Sequence, residues 1–172
     1  MPANVEVKVR AELGRVRERL PGLRARRAGF LRQRDTYFDA RGLRLKLREQ
    51  GGHAELIAYV RPDRTGERRS DYVVIPVQDV RFALSQFAAR VVVDKVRELW
   101  MIGRTRVHLD RVRGLGTFVE LETLLRRPGE DGAGLRASQG ERECRRILDG
   151  LGLGRERKIP GSYADLAEVR DS

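Results

Sequence analysis

A chain of 172 residues, 40% hydrophobic and 35% charged, suits one domain with a substantial core and is neither membrane-like nor disordered in composition. Its 36 Lys+Arg against 25 Asp+Glu leave a net charge of +11, which calls for an anionic partner without naming one. No apolar run reaches the ~20 residues of a membrane span, and Cys144, the only cysteine, excludes a disulfide framework or a cysteine-based zinc site within one chain. A cytoplasmic protein is the simplest expectation.

Taken in order, residues 4–10 alternate and read as a first strand, and 11–20 as a helix ended by Pro21-Gly22. Strands are expected at 28–38, 42–49, 54–61 and 69–77, separated by turns containing Gly, Asp or Pro. Asp79 opens a predicted helix over 80–90 with Val80, Leu84 and Phe87 on one face. Strands follow at 91–101, 104–112 and 116–125, then a polar loop at 126–136. Ser138 is placed to cap a helix through about Leu151, and a short helix starts from Ser162. Eight strands are enough to close a barrel, and no repeat divides residues 1–172 into further domains.

The strands carry a recurrent charge alternation. Glu6 and Lys8 oppose Val5, Val7 and Val9; Arg44, Lys46 and Arg48 oppose Leu43, Leu45 and Leu47; Glu55, Tyr59 and Arg61 oppose Leu56, Ala58 and Val60. Lys95 and Arg97 share a face, as do Arg106, His108 and Asp110, and Glu120 and Glu122. One such strand ordinarily means a sheet with one face in water. Six of them, mixed in sign, fit a second arrangement: a barrel with apolar faces outward under helices and charged faces lining a tunnel. Lysine adds a weaker hint. It occurs only at Lys8, Lys46, Lys95 and Lys158, the other 32 basic residues being arginine.

If the charged faces converge, Lys8, Arg44, Lys46, Arg48, Arg61, Lys95 and Arg97 line the lumen, with Arg106 next on the same face. Unpaired buried cations cost several kcal/mol each, so a polyphosphate is the natural occupant. Glu6, Asp110, Glu120 and Glu122 could then hold Mg²⁺ or Mn²⁺, hard cations that favour oxygen ligands and bridge phosphate oxygens. Neither GxxxxGK[ST] nor a convincing GxGxxG is present, so side chains would have to build the phosphate site.

NVEVK at 4–8, DTYF at 35–38, LRLKLRE at 43–49, AELIAYVRPD at 54–63, RRSDY at 68–72, VDKVRELW at 93–100, RTRVHLDRVRGLGTFVELE at 104–122 and GSYADL at 161–166 together resemble the CYTH superfamily, the triphosphate tunnel metalloenzymes. The flavour is closest to proteins assigned as class IV adenylate cyclases. The resemblance implies an α+β fold: an eight-stranded antiparallel β-barrel with a charged interior, flanked by helices. It places Glu6 and Lys8 on the second acid and the lysine of the ExExK signature, and Asp110, Glu120 and Glu122 on later metal-holding acids. It places Arg44, Lys46, Arg61, Lys95 and Arg97 on phosphate-binding positions. Two departures stand out. Asn4 replaces the first ExExK acid, and Glu55-Leu56-Ile57 lacks the lysine of the E-x-K by which some triphosphatases of the superfamily activate water.

Three functions follow: a metal-dependent nucleotide cyclase releasing pyrophosphate, a triphosphatase using the same site, or a non-catalytic barrel binding polyphosphate or nucleic acid. Single-strand binders need aromatic platforms, and 6% aromatic content disfavours nucleic acid. The oligomeric state, a homodimer included, stays open. Trp100 and Cys144 are read as structural, His108 as either a structural hydrogen-bond partner or a catalytic group beside a metal ligand, Asp35 and Tyr37 as a hydrogen-bonded pair inside the barrel, and Arg24, Arg26 and Arg27 as solvated surface.

Overall fold

The computed structural model describes residues 3–40, 43–60, 68–125 and 136–171. The alternating segments form eight strands: β1 (Ala3–Arg10), β2 (Arg26–Phe38), β3 (Arg44–Gln50), β4 (His53–Val60), β5 (Arg68–Val77), β6 (Ala89–Ile102), β7 (Thr105–Val112) and β8 (Gly116–Leu124). Every pairing is antiparallel. The ring runs β1-β5-β4-β3-β2-β6-β7-β8 and returns to β1, so the barrel is closed. A two-residue turn joins β3 to β4, and Gly51 and Gly52 supply its positive φ values of 56° and 81°.

Helices α1 (Leu13–Arg19), α2 (Val80–Ser85), α3 (Ala137–Gly150) and α4 (Tyr163–Asp171) lie outside the strands. The outward apolar residues of β1, β7 and β8 meet α1 and α3 in the main core: Val5, Val7, Val9, Val107, Leu109, Val119 and Leu121 pack with Leu13, Val16, Cys144, Ile147 and Leu148. A smaller cluster of Phe38, Leu45, Leu47 and Ala54 sits under Val80 and Ala83 of α2. A third brings Tyr37, Val93, Val112 and Phe118 of the strands together with Tyr163 and Ala164 of α4. Among the described residues no helix is long and apolar enough to cross a membrane.

Local sequence accounts for most boundaries. Glu12 caps α1, its carboxylate accepting from Gly14 and Arg15 backbone N–H groups, and Pro21–Leu23 ends it as a 3₁₀ turn. Asp79 caps α2 as expected, its Oδ1 accepting from Phe82 N at 2.9 Å. The helix predicted over 80–90, however, stops at Ser85. Phe87 packs on Phe38 at 5.3 Å between ring centroids, and the chain is already strand at Ala89. Ser138 sits in the first turn of α3 and not at its cap, a place taken by Arg136, whose N–H donates to the Gln139 side chain. The predicted loop at 126–136 falls, but for Arg136, outside the described residues, as does Arg61.

The carboxy-terminal segment reaches the barrel through Gly161. Its φ of 79° suits glycine, and a Cβ there would lie 2.5 Å from Asp165 Oδ2. Ser162 N and Oγ both donate to Asp165 Oδ2, at 2.6 and 3.0 Å, a capping arrangement that starts α4 and aims Tyr163 inward.

Candidate active site

The parity argued from sequence places the charged residues inside. One cavity of about 370 Å³ is lined by Glu6, Lys8, Lys46, Arg48, Lys95, Arg97, Arg106, Glu120 and Glu122, with Asn4, Glu55, Tyr37 and Tyr163 also on its walls. Arg44, expected in the lumen, is not on this cavity wall: its Nη1 donates to Asp165 at 2.7 Å. Lys158 is not on this cavity wall. Its backbone bridges Val9, and the neighbouring Ile159 N donates to Lys8 O, so this stretch tethers the carboxy-terminal segment to β1.

The basic wall is organised by a residue that sequence reasoning treated as structural. Asp35 on β2 is fully buried. It accepts two hydrogen bonds of 2.7 Å from Arg48, one of 2.6 Å from Lys95 Nζ and one of 3.1 Å from Lys46 Nζ. Burial pushes its carboxyl up, but Lys46, Lys95 and Arg48 outweigh that and hold it well below the usual range. The same burial drives Lys95 down to about 7 despite Asp35, and Lys46 down to about 8. Parity alone puts Asp35 on one face with Gln33 and Tyr37, and the register of the sheet then sets Arg48 directly opposite it.

Arg97 and Asp110 face each other across β6 and β7 in a two-pronged ion pair of 2.7 and 2.6 Å. Tyr163 Oη donates to Asp110 Oδ2 at 2.7 Å, and burial raises the phenol well above its ordinary range, so it stays a donor. Both Asp110 oxygens are therefore committed, and this residue lies beneath the cavity lining rather than on it.

Across the lumen stand the β1 and β8 carboxylates. Glu120 meets Lys8 Nζ at 3.0 Å, Arg97 at 3.3 Å and His108 Nδ1 at 3.4 Å. Burial pushes it up; Lys8, Arg97 and His108 together hold it well below the usual carboxylate range. Glu122 pairs with Arg106 at 3.3 Å and accepts from Asn4 Nδ2, and Glu6 is its register partner on β1. Asn4 Oδ1 is buried with no hydrogen-bond partner. Among the described residues, no three His, Cys, Asp or Glu side chains already form a metal-holding group. The donor chemistry nonetheless fits a hard cation: the carboxylates Glu6, Glu120 and Glu122 line one cavity together with Asn4, whose buried amide oxygen has no hydrogen-bond partner. His108 contacts Glu120 on this wall through Nδ1.

The charge balance corrects one expectation. Lys8, Lys46, Arg48, Lys95, Arg97 and Arg106 are matched inside by Glu6, Asp35, Glu55, Asp110, Glu120 and Glu122. The basic cluster therefore carries its own counter-charge, and the +11 of the chain arises from residues other than these twelve.

The CYTH domain model matches residues 2–163. The chain belongs to the CYTH domain family. Solved structures agree on the fold. A Pyrococcus horikoshii protein superposes with a TM-score of 0.82 at 23% identity, covering 95% of this chain and 98% of that one. A proposed adenylate cyclase from Vibrio parahaemolyticus gives 0.76 at 15% identity, covering 96% and 97%. A Hippeastrum protein, proposed as an adenylyl cyclase and described as having dominant triphosphatase activity, gives 0.68 at 12% identity, covering 98% and 96%. At these identities the likeness is one of fold. No curated protein matches this CYTH sequence.

Proposed function

We propose that this CYTH protein is a divalent-metal-dependent enzyme that cleaves a triphosphate held in its tunnel. The observation that carries the reading is one cavity lined by both kinds of group a metal-bound triphosphate needs: Lys8, Lys46, Arg48, Lys95 and Arg97 together with Glu6, Glu120 and Glu122. The lysines would neutralise phosphate oxygens as point charges, and Arg48 and Arg97 would do so through the Nη1 groups that their two-pronged pairs with Asp35 and Asp110 do not engage. Glu6, Glu120 and Glu122, with the Asn4 carbonyl, would hold Mg²⁺ or Mn²⁺. The bound metal supplies charge neutralisation and polarises phosphoryl oxygens. Asp110 is the least suited of the expected ligands, because Arg97 and Tyr163 occupy it. An electrically balanced lumen suits a substrate that arrives with its own cations, in contrast to a bare polyanion.

Two attacks use this machinery. In cyclisation the ribose 3′-hydroxyl oxygen bonds to the α-phosphorus, the α–β bridging bond breaks, and pyrophosphate leaves. In hydrolysis the oxygen of water bonds to the terminal phosphorus, the β–γ bridging bond breaks, the diphosphate leaves with the bridging oxygen, and orthophosphate forms as the water gives up its proton to solvent. Both rest on positioning and charge stabilisation. Cyclisation of ATP is the first reading, because Ile57 lines the cavity where the water-activating lysine of an E-x-K would stand. The family's triphosphatase neighbour keeps hydrolysis as the second. Product analysis with ATP, thiamine triphosphate and tripolyphosphate, each with Mg²⁺ and Mn²⁺, separates them. Cyclic AMP with pyrophosphate selects the cyclase and orthophosphate the hydrolase. Binding without turnover of any substrate defeats the enzyme reading.

A further inference from the structure

Lys8 carries the ammonium of the ExExK-like strand β1, yet strand geometry alone does not fix where that ammonium sits. A lysine ends in a flexible methylene chain, and the charged neighbours of this one are Glu120 at 3.0 Å and Glu6 at 3.9 Å. Both carboxylates are proposed above to hold the cation. Once they coordinate a divalent ion they hold the ammonium less, and the ion itself repels it. To serve a phosphate in the loaded tunnel, Lys8 needs partners that a metal does not draw away.

The carboxy-terminal segment supplies two. Lys8 Nζ donates to Gly161 O at 3.4 Å and lies 4.2 Å from the centroid of the Tyr163 ring. The lysine side chain is only 2% exposed, and removal from water strengthens the attraction of an ammonium to the negative face of a ring. The same segment grips the Lys8 backbone, since Ile159 N donates to Lys8 O at 2.8 Å beside a bridge between Val9 and Lys158. The ring in turn is pinned without help from Lys8. Its hydroxyl donates to Asp110 at 2.7 Å, and Phe118 packs against it edge to face at 5.1 Å between centroids. Lys95 Nζ is farther from the ring, at 5.6 Å, and already has Asp35 at 2.6 Å.

We infer that Tyr163 is a positioning residue of the tunnel, whose ring holds the Lys8 ammonium in place for phosphate binding. Asp35 gathers Lys46, Arg48 and Lys95; Tyr163 does the equivalent for the cation that stands among the metal-holding carboxylates. The inference rests on the tunnel holding a metal-bound triphosphate, as proposed above, and names a residue that prepares the tunnel for it.

The test alters the charge distribution of the ring and keeps its shape. Dissociation constants for tripolyphosphate with Mg²⁺ are read by calorimetry on the full-length chain, so the outcome does not depend on turnover. Tyr163→Phe loses the hydroxyl but keeps the ring, and should bind within about threefold of wild type. Tyr163→pentafluorophenylalanine, close in size but with the polarity of the ring face reversed, should bind about tenfold more weakly than Tyr163→Phe. In a Lys8→Met background the same exchange of rings should change binding by less than about twofold, because no ammonium is left to hold. Equal affinities of the two ring variants with Lys8 present overturn the inference. So does an undiminished loss in the Lys8→Met background, which would assign the effect of the ring to Lys95 or to packing. Failure of the wild type to bind overturns the tunnel reading itself, whereas wild-type binding with equal ring variants overturns only the role of Tyr163.

Discussion

The two sides of the barrel are built to different standards. Sixteen buried residues pack β1, β7 and β8 against α1 and α3, whereas β3 and β4 rest on a cluster of four under the short α2. On that second side Val73, Ile75 and Phe82 remain exposed. The carboxylates Glu6, Glu120 and Glu122 stand on the well-backed side, and Lys46 and Arg48 on the thinly backed one. Cation coordination demands oxygen positions fixed to within a few tenths of an ångström, which a close-packed support supplies. Long basic side chains tolerate looser backbone support, provided that a counter-charge gathers them. Asp35 does this for Lys46, Arg48 and Lys95.

That division makes Asp35→Asn the most damaging single change. It leaves three buried cations without their carboxylate, a loss of about 3–5 kcal/mol for breaking buried ion pairs. At roughly 2–4 °C per kcal/mol for a chain of this size, thermal melting should fall by about 10 °C. A melting temperature within 2 °C or so of wild type would mean that the basic side needs no internal anion. The packing contrast has its own test. Leu121→Ala, in the main core, should cost about 3 kcal/mol by denaturant unfolding, and Leu56→Ala, half-buried under α2, about 1. Equal losses would dissolve the distinction between the two sides.

Much of this was legible in the sequence. Alternation alone assigned an inward face to Glu6, Lys8, Lys46, Arg48, Lys95, Arg97, Arg106, Glu120 and Glu122, because a closed barrel converts parity into inside and outside. The outward apolar faces of β1, β7 and β8 were equally visible, since helices needed a surface to cover. What parity cannot show is which charges neutralise one another. Asp35 and Asp110 read from sequence as a local polar residue and a metal ligand. Their roles follow from register, which brings Arg48 and Arg97 directly opposite them. The early end of α2 was hidden for a related reason: Phe87 finds a tertiary partner in Phe38 that helical periodicity cannot anticipate.

Glu122→Ala tests the proposed metal-holding side by activity. Glu122 is more open than Asp110 and lies beside the orphaned Asn4 oxygen, so its loss should spare the fold while lowering kcat/KM by roughly 100-fold, about 2.7 kcal/mol. The loss should diminish with added Mn²⁺ if the remaining oxygens still hold the ion weakly. Wild-type turnover by Glu122→Ala would remove this residue from the metal site and leave the carboxylate side with an electrostatic role only.

The smallest effect discriminates most finely, because it sets binding and stability in opposite directions. Lys95, driven by burial to about 7, loses its charge as pH rises through neutrality, and Lys46 follows near 8. A tetra-anionic triphosphate binds the protonated amines better, so its dissociation constant should rise by several-fold, up to about tenfold, between pH 6.5 and 8.5. Folding stability should change the other way. Between about 7 and the ordinary lysine range the unfolded chain holds a proton on Lys95 that the folded one does not, so this group's contribution to stability grows with pH across that interval. Lys95→Arg keeps its charge throughout and should flatten the lower part of the binding profile, with the titration of the substrate itself common to both proteins. Superimposable profiles for wild type and Lys95→Arg would show that the amine stays charged against Asp35 across the range. The basic side would then be a fixed cradle, whose charge on each lysine Asp35 sets once and for all.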